Sequence, residues 1–171
     1  MIMKNLDTSI DLETYQHAVA IWREFCDLHF NLFEITAAEY SCLLSSDIEN
    51  LEITTLEKNK IIAAIDLADA KRQSFILNLQ LQYGLSNIAT VSDLIVFLEK
   101  TAPEPLVRNF VGFNSLLKDL IEKIKEQNKK NQIFLNKAIY HLQELRESTT
   151  GKKTVHTYNS KGKLAGLAGT K

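Results

Sequence analysis

Residues 11–44 read DLETYQHAVAIWREFCDLHFNLFEITAAEYSCLL, and this stretch decides the fold. Leu12, Tyr15, Val19, Trp22, Cys26, His29, Phe33, Thr36, Tyr40 and Leu43 recur at alternating spacings of three and four. An α-helix, at 3.6 residues per turn, brings such positions onto one face. Ala18, Ile21, Phe25, Leu28, Leu32 and Ile35 lie alongside and widen the row. The spacing predicts one helix of about 50 Å with a broad face to bury.

Working outward, Ser46-Asp47-Ile48-Glu49 has the form of an S-x-x-E capping box and predicts a second helix after a tight break. Leu51, Thr54, Ile61, Ile62, Ile65, Ala68, Phe75, Ile76, Leu79 and Tyr83 make its apolar face, and Gly84 is placed to take a left-handed cap. Thr90-Val91-Ser92-Asp93 predicts the start of a short helix to about Lys100, ended by Ala102-Pro103-Glu104-Pro105. Pro105 is expected as the first residue of a last long helix. That helix carries Leu106, Phe110, Phe113, Leu117, Leu120, Ile121, Ile124, Leu135, Ala138, Ile139, Leu142 and Leu145, and the pattern stops beyond Ser148.

Composition agrees. Of 171 residues, 45% are hydrophobic and 24% charged, ordinary values for a soluble chain that buries a core. There are six Gly and two Pro, and four of the Gly fall after position 150. Sheets need frequent turns, so this scarcity of turn residues excludes the all-β and α/β classes. The expected fold is all-α: an elongated antiparallel bundle or coiled coil of three long helices and one short one, spanning 1–149, with a flexible basic tail at 150–171.

Net charge is −1, but the tail holds Lys152, Lys153, Lys161, Lys163 and Lys171 with no acid, leaving the rest at −6. An acidic body is not a duplex-binding surface, and five tail lysines are more often solvated than bound to nucleic acid. Cys26 and Cys42, sixteen residues apart on one predicted helix, sit about 24 Å from each other and cannot bridge. With no CxxC, no secretory segment and no 18-residue apolar run, a cytoplasmic protein without an integral membrane segment is expected.

Some polar residues fall within the apolar stripes. Asn128 and Asn131 lie within about 40° of Leu135 at 100° per residue, and Lys58 and Arg72 lie near the seam of the second helix. Buried amides in a seam fix register because a slipped pairing leaves them unsatisfied. Asp69, three residues before Arg72, is within reach of it. Ile133 and Tyr140 project away from the main seam, with Phe134 at its edge, and Leu56 and Leu81 are similar outliers on the second helix. A helix apolar on two sides is buried twice or binds a partner, so Ile133, Phe134 and Tyr140 are candidate binding residues.

Signatures of catalysis are not found. There is no P-loop or GxGxxG, no Glu-x-x-His, and no HExxH, and His17, His29, His141 and His156 have no zinc spacing. The expectation is a non-enzyme with no cofactor and no metal.

Three blocks resemble one family. Glu39-Tyr40, Leu43-Leu44, Asp47, Leu51, Glu57-Lys58, Ile61-Ile62, Ile65, Ala68 and Arg72 are similar to the signature of the FlgN family of flagellar type III export chaperones. Asn128 to Leu135 resembles that family's N-x-x-N-x-x-L-L segment, and Thr157-Tyr158-Asn159-Ser160-Lys161-Gly162 its Y-x-x-x-G tail element. Isoleucines stand for leucines at Ile61-Ile62, and Asn159 stands where Gly often follows the Tyr. The resemblance implies a chaperone that binds the C-terminal helices of the hook–filament junction proteins FlgK and FlgL and delivers them to the export gate FlhA. It further implies that Tyr158, with Gly162 beyond it, docks at the gate, and it is compatible with a homodimer in the absence of client. A chaperone for another type III client, and a structural coiled coil or adaptor with a basic tail, are the alternatives.

Overall fold

Asp11 accepts a hydrogen bond from the Thr14 amide and opens α1 (Leu12–Ser45), the helix predicted from its apolar row. The computed structural model describes residues 9–85, 88, 90–150, 157–158 and 164–165. Three helices follow α1: α2 (Ile48–Tyr83), α3 (Val91–Thr101) and α4 (Glu104–Thr150). The all-α class, with three long helices and one short one, is as predicted.

Two boundaries differ from the sequence reading. Ser46 does not begin α2 but ends α1, in the left-handed region at φ 56°. Its amide and that of Asp47 point back to the last carbonyls of α1, with Asp47 N to Cys42 O at 3.0 Å. Asp47 then caps α2, accepting from the Asn50 amide at 3.1 Å. A reversal this tight needs one left-handed residue between two helices. The capping role therefore passes to the next side chain with a suitable acceptor. Pro105 is the second residue of α4, still inside the first turn, where its missing N–H costs no helical bond. Gly84 (φ 64°) and the reciprocal Thr90–Asp93 box stand where predicted.

The chain divides into two compact units, Met1–Asn131 and Gln132–Lys171. In the first, α1 and α2 form an antiparallel hairpin. Glu39 meets Lys58, Glu24 meets Lys71, and Asp11 meets Tyr83, so contacts run down one helix as they run up the other. The part of α4 in this unit runs parallel to α1. Tyr15 Oη donates to Leu106 O at 2.9 Å, the Trp22 and Phe110 rings lie 4.6 Å apart, and Asn131 reaches Thr36.

The core is densest where α3 closes that end of the bundle. Trp22, Leu79, Leu94, Leu98 and Phe110 are almost wholly buried there, with Phe25, Phe75 and Phe97 around them. Each such side chain contributes about 1.5–3 kcal/mol by leaving water. Toward the α1–α2 turn the buried set becomes polar, with Thr36, Thr54 and Asn131. Ile62 and Leu12, expected on apolar faces, are exposed.

In the second unit, α4 continues to Thr150, and β1 (Thr157–Tyr158) pairs antiparallel with β2 (Leu164–Ala165), placing Tyr158 opposite Leu164. The remainder of 151–171, including Gly162 and the tail lysines, lies outside the described residues.

Candidate functional site

Two constellations stand out, one polar in the first unit and one apolar in the second. The polar one joins α1, α2 and α4. Lys58 Nζ donates to Glu39 Oε2 at 2.7 Å and to Asn128 Oδ1 at 2.8 Å. Asn131 Nδ2 donates to Glu39 Oε2 at 2.8 Å and to Thr36 O at 2.9 Å, while Gln127 donates to Asn131 Oδ1. The Lys58 and Glu39 side chains are only 15% and 18% exposed, so this ion pair is half-removed from water. Charge-assisted bonds of this kind are stronger than neutral ones, and every member has its partner.

Lys58, Asn128 and Asn131 are thus brought together. Asp69 and Arg72 are not part of this group: they pair with each other within α2 at 2.8 Å, and that guanidinium, followed by Gln73, holds the Asp69 carboxyl below its usual range. Glu39, Thr36 and Gln127 complete the node. Glu39 faces it because Lys58 stands opposite in the hairpin, a pairing that follows from the sharp reversal at Ser46–Asp47.

The apolar constellation is the part of α4 from Gln132 to Thr149, where no residue is buried. Ile133 and Tyr140 are exposed, as their placement away from the seam predicts, and Phe134 is half-buried. Leu135, Leu142 and Leu145 are also exposed, Leu142 to 66%. This departs from the sequence reading, which continued the seam through them. Seen down the axis at 100° per residue, Phe134, Leu135, Leu142 and Leu145 share one broad side and Ile133 and Tyr140 another. The available signal was length, since α4 has 47 residues against 34 and 36 in its long neighbours. The Tyr140 phenol is pushed above its ordinary range by its hydrogen bond to Glu144, and His141 lies 3.4 Å from the same carboxylate.

An open groove of about 760 Å³ runs between α1 and the start of α4, floored by Val19, Leu106 and Phe113. Arg23 lies over the Phe113 ring at 5.9 Å. Cys26 and Cys42 are free, and burial raises the Cys26 thiol, whose Sγ faces Phe113 O at 3.4 Å. No group of three or more His, Cys, Asp or Glu among the described residues could hold a metal ion. No helix among them is long and apolar enough to cross a membrane.

A helical body crossed by polar bonds, and a helix with uncovered leucines, make this an all-α protein with an apolar surface left open. The chain matches the family model described as FlgN protein over residues 16–166, and it belongs to that family. The family is one of flagellar export chaperones, which places the chain among proteins of flagellum assembly. No curated protein matches the chain, and no solved structure does.

Proposed function

We propose that this protein is a cytosolic, non-enzymatic chaperone that binds the C-terminal helices of FlgK and FlgL, keeps them from assembling early, and delivers them to the gate protein FlhA. The observation that carries the reading is the uncovered apolar surface of α4 beyond Asn131, with Ile133, Leu135, Tyr140, Leu142 and Leu145 all exposed. An amphipathic helix laid on such a surface buries its leucines by helix-in-groove or coiled-coil pairing. Clients that assemble through terminal helices are held apart when that same face is occupied. Ile133, Phe134 and Tyr140 belong to the client face in this proposal.

The test is capture of a FlgK or FlgL C-terminal peptide by the full chain. Ile133→Asp with Tyr140→Asp is expected to abolish capture while helicity stays at the wild-type level. Leu142→Asp, on the other side of the helix, tells whether the client lies on the broad leucine face instead. Capture unchanged in both variants removes α4 as the client site. Gate docking is assigned to Tyr158 by resemblance. Tyr158→Ala is expected to weaken binding of the FlhA cytoplasmic domain and to leave client capture intact.

A further inference from the structure

The side of α2 turned away from α1 carries an apolar repeat that the hairpin does not use. At alternating spacings of three and four, Ile53, Leu56, Leu67, Leu77 and Leu81 fall on one stripe, exposed from 48% at Ile53 to 83% at Leu81. Ala63 and Ala70 occupy the intervening places and are exposed too. Lys60 and Ser74 complete a run of four heptads in which Lys60 is the single charge. A strict seven-residue repeat of this length is the pattern of a helix that supercoils with another helix. Isolated exposed leucines are common, but a continuous stripe about 40 Å long is not.

We infer that this stripe is a homodimer seam, in which α2 of one copy packs antiparallel against α2 of a second copy about a two-fold axis near Ile65. Size complementarity sets the direction. In that register Leu67 faces Ala63 of the second copy, Leu56 faces Ser74, Ile53 faces Leu77, and the stem of Lys60 lies over Ala70. Large residues meet small ones in the three layers nearest the axis, Ile53 and Leu77 close the seam beyond them, and the axis repeats each pairing. Leu81 reaches the first turn of the other α2, where Ile48 is also exposed.

Charge at the rim agrees. Glu57 of each copy comes beside Lys71 of the other, giving two reciprocal pairs, and Lys71 is half-exposed where it now meets Glu24. Asp66 meets its own symmetry mate at the rim, a small cost in water. The parallel arrangement is worse on three counts. It stacks Lys60 on Lys60 within the seam, sets Glu52 against Glu57, and leaves alanine opposite alanine in two layers.

The experiment is sedimentation equilibrium on the full chain, with circular dichroism beside it. The wild type is expected to dimerise, and Leu67→Glu to weaken the dimer at least about a hundredfold, because two carboxylates would be trapped next to the axis. Leu67 is exposed in the single chain, so helicity is expected to persist. Should Leu67→Glu lose helicity, the rim decides: Glu57→Lys and Lys71→Glu should each weaken the dimer, and the double exchange should restore it. A wild type that stays monomeric, a dimer indifferent to Leu67→Glu, or a double exchange that fails to rescue would overturn the assignment. The surface is separate from the client face proposed on α4, so a monomeric wild type leaves that proposal standing.

Discussion

Asp11 ties the first turn of one helix to the last turn of another. Its carboxylate accepts from the Thr14 amide at 2.8 Å and the Thr14 hydroxyl at 2.7 Å, and it also accepts from Tyr83 Oη and Gln82 Nε2 near the end of α2. The Thr14 amide, followed by the Thr14 hydroxyl, lowers its pKa to about 2. A carboxyl held below its unfolded value stabilises the fold fully above about pH 5, and that contribution fades as pH falls toward the folded value. Asp11→Ala is therefore expected to lower the melting temperature by a few degrees at pH 7. The gap between variant and wild type should shrink steadily between about pH 4 and pH 2, because acid takes from the wild type what the variant already lacks. Thermal melts across that range check it; a gap constant with pH would mean that uncharged packing accounts for the effect. At this scale the sequence was informative but not unique. Around position 46 it offers Ser46 and Asp47 in succession, both good caps, and local preference does not choose between them. The choice is made by the reversal of direction that packing α2 on α1 demands, which is tertiary information.

Among the elements, α2 and α4 are the ones whose faces carry more than one duty. The node of Thr36, Glu39, Lys58, Asn128 and Asn131 sets the level at which α4 meets the α1–α2 hairpin. Thr36 and Asn131 are its buried members, and the Asn131 amide supplies two of the bonds. Asn131→Ala leaves Thr36 O and Glu39 short of a donor, and it is expected to cost about 1–3 kcal/mol in urea denaturation. Lys58→Met keeps the stem and removes the charge, so it deletes the ion pair to Glu39 together with the bond to Asn128. Combined with Glu39→Gln in a double-mutant cycle, a coupling of about 0.5–3 kcal/mol is expected, since the two side chains share one hydrogen-bond network. A coupling near zero would assign the stability to the amides. Periodicity placed Lys58, Asn128 and Asn131 near the seams because it reports which face a residue occupies. It does not report whether a neighbouring helix covers that face. For that reason Leu135, Leu142 and Leu145 read as core and are exposed, and Leu56 and Leu81 read as isolated outliers and belong to a stripe.

For the whole molecule, the distribution of burial separates the core from the apolar surface proposed to bind. Among the described residues, every buried hydrophobic one lies between Ile10 and Ile124, and the last buried polar one is Asn131. Ile133, Leu135, Tyr140, Leu142 and Leu145 beyond it contribute little to the core, because 40% to 66% of their surface stays in water. A chain ending at residue 136 keeps every residue described as buried and the polar node. It is expected to unfold cooperatively within a few degrees of the full chain and with most of its helicity, losing only the turns of α4 it no longer has. Capture of a junction-protein C-terminal peptide, in contrast, should be lost, since Tyr140, Leu142 and Leu145 are gone. Scanning calorimetry and a pull-down on the same preparation read both outcomes. Retained capture would move the client to the first unit, where the groove beside Arg23 and Phe113 is a concave surface of about 760 Å³. A collapse in stability would mean that the C-terminal half of α4 is part of the fold, and its exposed leucines would then have to be explained as structure. Exposing hydrophobic residues on a helix that the core does not require is costly for solubility, and a chain of net charge −1 has little repulsion to offset it. Such a surface is kept where something in the cell covers it, and the truncation asks whether that something is the client.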